Sequence, residues 1–246
     1  MTAPVFVVEH FRADGAGQYV LDGPEGRHAV SVKRLRQGER VVLTDGAGRW
    51  AECDVVGAEG KDRLIVHMTG VSEEPPESPR VTVVQALPKG DRGELAVETM
   101  TETGVDAIVP WAAARCITQW KGERGQKALA KWRATAREAG KQSRRVRFPE
   151  IADAATAKEV AALLAKADFA AVLHESGEEA LATAELPAQG EIVLVVGPEG
   201  GVSPEELALF EEAGAKAYRL GRTVLRTSTA GTAATALLLG RSGRWS

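Results

Sequence analysis

The chain has 246 residues, 44% of them hydrophobic and 26% charged, which suits one large or two modest globular domains with a sizeable core. No apolar run approaches bilayer-spanning length and no basic start leads into an apolar leader, so a cytoplasmic protein that makes no contact with a membrane is expected. The net charge of −3 argues against indiscriminate nucleic-acid binding; two distant cysteines, and four histidines at no metal-ligand spacing, argue against a disulfide framework or a metal site.

In chain order, short strand-like runs come first, separated by Gly turns: Phe6 to Glu9, Gln18 to Leu21, Arg40 to Thr44, Trp50 to Val56 and Leu64 to Met68. This spacing predicts a small β-barrel, a common RNA-binding scaffold. Lys33, Arg34 and Arg36, with Arg12 upstream, form a small basic cluster in it. Gly46 to Ala51 fits the G-x-G-x-x-G/A dinucleotide fingerprint, but the run after it reads as another strand, so the helix that would receive a pyrophosphate is missing and a hairpin turn explains the glycines better. The proline-rich, acidic stretch S-E-E-P-P-E-S-P, Ser72 to Pro79, reads as a junction, giving expected domains at residues 1–72 and 73–246.

Beyond the junction, strands alternate with helices. Val81 to Ala86, Ala107 to Pro110, Ala170 to His174, Ile192 to Val196 and Ala217 to Leu220 are the strands; Glu94 to Thr103, Gln126 to Gln142, Ala157 to Ala167, Pro204 to Ala213 and Ala230 to Leu239 are the helices. The pattern predicts an α/β domain with a mostly parallel sheet. From Arg115 to Arg147 eleven basic residues face only Glu123 and Glu138, a local balance of +9, while the rest of the chain stands at −12. A basic segment on an acidic body suits docking on phosphate; a solvated helix face is the alternative.

The stretch V-V-G-P-E-G-G-V-S-P-E-E-L, Val195 to Leu207, joins an apolar strand to a helix whose N-cap, first residue and capping-box partner are Ser203, Pro204 and Glu206. Gly197, Gly200 and Gly201 permit close backbone approach or positive φ, either for a ligand or for a tight turn alone. Two more loops end strands: His174 to Gly177, and Leu220-Gly221 leading through Val224-Leu225-Arg226-Thr227-Ser228 into the last helix. Three loops at strand carboxyl ends can enclose an adenosine-sized ligand through backbone and apolar contacts, although Thr227 or Ser228 equally suits a helix cap.

Together, V-V-G-P-E-G-G-V-S-P-E-E, L-G-R-T-V-L-R-T-S-T-A, R-E-A-G-K-Q-S-R-R-V-R-F-P, H-A-V-S-V-K-R-L-R-Q-G-E and L-P-K-G-D-R-G-E-L resemble the RsmE family, the 16S ribosomal RNA uridine-N3 methyltransferases of the SPOUT superfamily. The resemblance covers most of the chain. It implies a PUA-like or OB-like amino-terminal β-barrel, an α/β domain with a carboxyl-terminal trefoil knot that binds S-adenosyl-L-methionine, and a homodimer acting on 16S ribosomal RNA of the small subunit. On that pattern His174, Gly197, Pro198, Glu199, Gly200, Gly201, Leu220, Gly221, Leu225, Arg226, Thr227 and Ser228 wrap the cofactor. Ser228 departs from the Glu common in the family, which removes any charge role from that position. The chemistry therefore falls to Glu138, Gln142, Arg145 and Arg226, and RNA positioning to Arg12, Lys33, Arg34, Arg36, Lys141, Arg144 and Arg147.

Uridine N3 is a poor nucleophile until its imide loses a proton. The site must stabilise charge on O2 and O4 and hold N3 in line with the methyl. Arg145 or Arg226 suits the anion, Glu138 the proton and Gln142 the uracil edge. Equally, the arginines bind only phosphate and Glu138 forms a helix ion pair. The rival functions are another SPOUT RNA methyltransferase, acting on a ribose 2'-hydroxyl or a different base, and a non-catalytic ribosomal RNA-binding assembly factor; a small-molecule enzyme with an accidental basic helix is a third.

Overall fold

The computed structural model describes residues 3–11 and 16–245, so Arg12 lies outside the described residues. The chain divides into two compact units, Met1–Pro76 with Gly140–Phe148, and Glu77–Ala139 with Pro149–Ser246. The boundary expected at residue 72 thus falls four residues later, within the same junction, and a nine-residue segment from the middle of the chain returns to the first unit.

In the first unit, β1 (Val5–Val7), β2 (Gly17–Leu21), β3 (Arg40–Thr44), β4 (Arg49–Glu59), β5 (Arg63–Met68) and β6 (Ser72–Glu73) form a mixed sheet. Its order is β1-β3-β4-β5-β2, with β6 on β4; β1 runs parallel to β3 and the other pairs are antiparallel. Ala51, Cys53 and Val55 of β4 and Leu64, Val66 and Met68 of β5 alternate inward onto Phe6 and Leu43. This is the period of two that a one-sided sheet requires. Helix α1 (Gly23–Arg27) and a π-helical turn, His28–Val32, follow β2. Pro24 and Glu25 stand in the first turn of α1, where both are favourable, whereas Gly23 and Gly26 lower its helix propensity.

The segment Gly140–Phe148 is stitched to the turn between β3 and β4. Thr44 Oγ1 and Gly48 N donate to Val146 O at 2.7 and 3.2 Å, and Phe148 N donates to Gly46 O at 2.8 Å. Gly46 has φ of 75°, and a Cβ there would lie 2.7 Å from the Phe148 ring. The glycines that mimic a dinucleotide fingerprint serve this seat.

The second unit holds β7 (Arg80–Ala86), α2 (Arg92–Thr103), β8 (Ala107–Trp111), α3 (Gly122–Gln142), β9 (Glu150–Ile151), α4 (Ala157–Leu164), β10 (Phe169–Leu173), β11 (Glu179–Ala180), β12 (Glu191–Val196), α5 (Pro204–Glu212), β13 (Lys216–Arg219) and α6 (Thr227–Arg241); α3 passes into the first unit at Gly140. The sheet order is β11-β13-β10-β12-β7-β8-β9, every pair parallel. Ile192, Leu194 and Val196 of β12 pack into the core shared with α2, α3 and α6, while Val193 and Val195 face α4 and α5. Burial on both faces is why this strand has no polar alternation in sequence. Because all strands point the same way, the loops after β10, β12 and β13 emerge along one edge.

Candidate cofactor cleft

Those three loops line a cleft of about 750 Å³ in the second unit, a size usual for small-molecule sites. Eleven of the twelve expected cofactor residues stand on its wall: His174 after β10, Gly197 to Gly201 after β12, and Leu220, Gly221 and Leu225 to Thr227 after β13. The twelfth, Ser228, is 4% exposed in the first turn of α6 and does not line it.

The loop after β12 takes its shape from several contacts. Gly201 has φ of 74°, a conformation that disfavours a side chain, and a Cβ on Gly197 would sit 2.9 Å from Val202 Cγ2. Ser203 caps α5 as its sequence suggests: Glu206 N donates to Ser203 Oγ at 3.2 Å and Ser203 N returns a bond to Glu206 Oε2 at 3.1 Å. Glu206, only 7% exposed, also accepts from Ala114 N through Oε1 at 2.7 Å. Its carboxylate therefore ties the end of the glycine loop to the connection between β8 and α3. Lys89 N donates to Glu199 Oε1 at 3.3 Å, and Arg115 Nη1 donates to Gly200 O at 3.2 Å.

His174 Nδ1 accepts from Ser176 N at 3.2 Å and lies 2.6 Å from Ser176 Oγ. With Nδ1 occupied as acceptor, the neutral ring carries its proton on Nε2. Arg226 is the N-cap residue of α6, and its carbonyl accepts from Thr229 N and Ala230 N at 2.9 Å each.

Of the four residues expected to carry chemistry, Arg226 alone lines the cleft. Glu138 and Gln142 are exposed in the last turns of α3. Arg145 is half-buried, with Nε donating to Arg147 O at 2.9 Å. Among the expected RNA contacts, Lys33, Arg34, Arg36 and Arg144 are exposed; Arg34 and Arg144 have positive φ, 56° and 63°. Arg147 is half-buried, and its Nη2 donates to Glu74 O at 2.6 Å. Lys141 faces inward: its side chain is 4% exposed and Nζ donates to Glu25 Oε1 at 2.8 Å. That ammonium is spent within the first unit rather than offered to phosphate.

Arg115, Arg219 and Arg222 also line the cleft, although no motif marks Arg115 or Arg219. Arg115 is the first residue of the basic run, but its approach to Gly200 spans 85 residues of chain. Arg222 lies inside L-G-R-T-V-L-R, where its position alone is the signal that marks it. Among the described residues no cluster of three or more metal-ligating side chains occurs.

The cleft is large enough for an adenosine-bearing cofactor, and of its glycines Gly221 faces open space, a Cβ there meeting no atom within 4 Å, while Gly197 and Gly200 are held close against Val202 and Arg115. Comparison with known proteins agrees. A family model described as an RNA methyltransferase domain matches residues 76–239, and one described as an RNA methyltransferase PUA domain matches residues 21–68. The ribosomal RNA small subunit methyltransferase E of Mycobacterium bovis is 45% identical over 250 aligned positions, covering 100% of this chain and 94% of that protein. The chain belongs to the ribosomal RNA small subunit methyltransferase E family. The Bacillus subtilis member is 28% identical, with 87% of each chain covered. A crystal structure of the Neisseria gonorrhoeae member bound to S-adenosyl methionine superposes with a TM-score of 0.84 at 28% identity, over 98% of both chains.

Proposed function

We propose that this methyltransferase E family member methylates N3 of a uridine in 16S ribosomal RNA of the small subunit, in the cytoplasm, using S-adenosyl-L-methionine bound in the cleft. The observation that carries it is the glycine loop between β12 and α5, set among three strand ends in a chain whose relatives bear this name. The bound cofactor supplies an electrophilic sulfonium methyl. The chain's residues do the rest. His174 and the loops from Gly197 and Leu220 bind and orient the cofactor, and the Arg226 guanidinium stabilises the uracil imide anion once N3 is deprotonated. No helix among the described residues is long and apolar enough to cross a membrane.

Glu138, Gln142 and Arg145 complete this scheme from a second copy in a homodimer, each copy also carrying the knotted carboxyl end that the family resemblance implies. Mixing Gly200→Val with Arg145→Ala chains then regenerates activity that neither variant has alone, whereas no recovery in mixed dimers assigns the three residues elsewhere. The function itself is tested by incubating the protein with methyl-deuterated cofactor and undermethylated small subunits, then analysing nucleosides by mass spectrometry. Labelled 3-methyluridine is expected; another labelled nucleoside refutes the atom assignment, and no label refutes the activity.

A further inference from the structure

The cleft holds more positive charge than its cofactor needs. Arg115, Arg219, Arg222 and Arg226 stand against Glu175 and Glu199 on its wall. S-adenosyl-L-methionine is itself a net cation, because sulfonium and ammonium outweigh one carboxylate. Two surplus guanidiniums beside it add repulsion to the cofactor rather than attraction, and a polyanion bound at the cleft would offset it. Arg226 serves the uracil anion, and Arg219 Nη2 donates to Glu178 O at 2.9 Å.

Arg115 is exposed yet held in position. The bond from its neighbour Ala114 N to the buried Glu206 fixes the backbone on one side, and Thr118 Oγ1, donating to Pro88 O at 2.9 Å, fixes it on the other. Its own Nη1 rests on Gly200 O. The two loops pack closely: a Cβ on Gly200 would lie 3.1 Å from Arg115 Cβ and 3.2 Å from Arg115 O. A guanidinium has five N–H donors in a rigid fork, so one bond to a carbonyl leaves an edge suited to bidentate phosphate binding. Preorganisation of this kind lowers the entropic cost of the contact.

We propose that Arg115 binds a backbone phosphate of the substrate RNA at the rim of the cofactor cleft, positioning the target nucleotide over the methyl group. The proposal rests on the RNA methyltransferase function. It adds to the basic residues of the first unit a phosphate contact from the connection between β8 and α3, braced on the glycine loop.

The test compares wild-type, Arg115→Gln and Arg115→Lys proteins in binding to undermethylated small subunits between 50 and 200 mM KCl, values chosen to span the steep salt dependence of about one unit of slope per phosphate. S-adenosylhomocysteine affinity and steady-state kinetics are measured alongside. For Arg115→Gln the slope of log K against log salt falls by about 0.7–0.9, KM for subunits rises about tenfold, and kcat and nucleoside affinity stay within about twofold. Arg115→Lys keeps the slope and recovers part of KM, as a point charge without the fork does. An unchanged slope with unchanged KM overturns the proposal. So does an unchanged slope with S-adenosylhomocysteine binding weakened about tenfold, which makes Arg115 a cofactor residue. Label transfer by wild type together with an unaltered Arg115→Gln slope refutes this proposal alone, whereas wild type that binds subunits without transferring label refutes the function and leaves the slope readable.

Discussion

Replacing Lys141 by Met removes one half of a buried ion pair while keeping the length of the stem. The Lys141 and Glu25 side chains are 4% and 14% exposed, and their 2.8 Å contact joins α1 to the segment Gly140–Phe148. Glu25 Oε2 also accepts from Val7 N at 3.3 Å, so that carboxylate keeps a backbone donor when the ammonium goes. Breaking a buried pair from one side costs about 3–5 kcal/mol. The retained donor and the residual exposure of Glu25 place this case at the lower end, about 3 kcal/mol. The loss is local to the first unit, so amide hydrogen exchange on the intact protein is the suitable assay. Peptides covering β1 and residues 140–148 should exchange about 100-fold faster, the equivalent of that energy, while α5 and β12 are unaffected. Adding Glu25→Leu, which removes the opposite charge as well, should restore most of the protection. Exchange unchanged in the single variant, or acceleration that persists undiminished in the double, would show that the pair does not hold the segment.

Three further outcomes follow from the cleft and the cores. Gly200→Val should abolish cofactor binding in calorimetry yet leave RNA affinity nearly intact, because the new side chain collides with Arg115 Cβ and carbonyl; surviving cofactor affinity refutes the loop assignment. Glu206→Ala strands Ala114 N and Ser203 N and should destabilise the second unit by about 2–3 kcal/mol in urea unfolding, with Glu206→Gln recovering part; a loss below about 0.5 kcal/mol refutes the tie. Burial pushes the Cys53 thiol up to about 12 and raises that of Cys116, so neither should react with Ellman's reagent at pH 8 until the protein is denatured; prompt labelling of Cys53 contradicts its place in the β4 core.

Much of the α/β unit could be read from sequence because local pattern and burial coincide there. The run Ile192 to Val196 is buried on both faces, and Ser203, Pro204 and Glu206 form the cap their spacing predicts. Edge strands β9 and β11, two residues each, have no period to detect and exist only through their neighbours. Charge alone misled at Lys141, since a basic run marks which residues are cationic and not which way a side chain turns where α3 ends. The contacts of Arg115 with Gly200 and of Thr44 with Val146 join residues 85 and 102 apart, and no local pattern encodes such pairings.

The return of Gly140–Phe148 to the first unit has a consequence for biosynthesis. Lys141 lies 116 residues after its partner Glu25, and Val146 lies 102 after Thr44. As the polypeptide leaves the ribosome, β1 to β6 emerge well before the segment that pins the β3–β4 turn and neutralises Glu25. The amino-terminal unit therefore completes its set of contacts only after β7, α2, β8 and α3 have been synthesised, and loop closure over that span opposes early completion. An isolated amino-terminal fragment ending at Pro76 would expose the seat of Phe148 on Gly46 and leave Glu25 without its ammonium, so maturation of this unit proceeds in step with elongation of the chain that follows it.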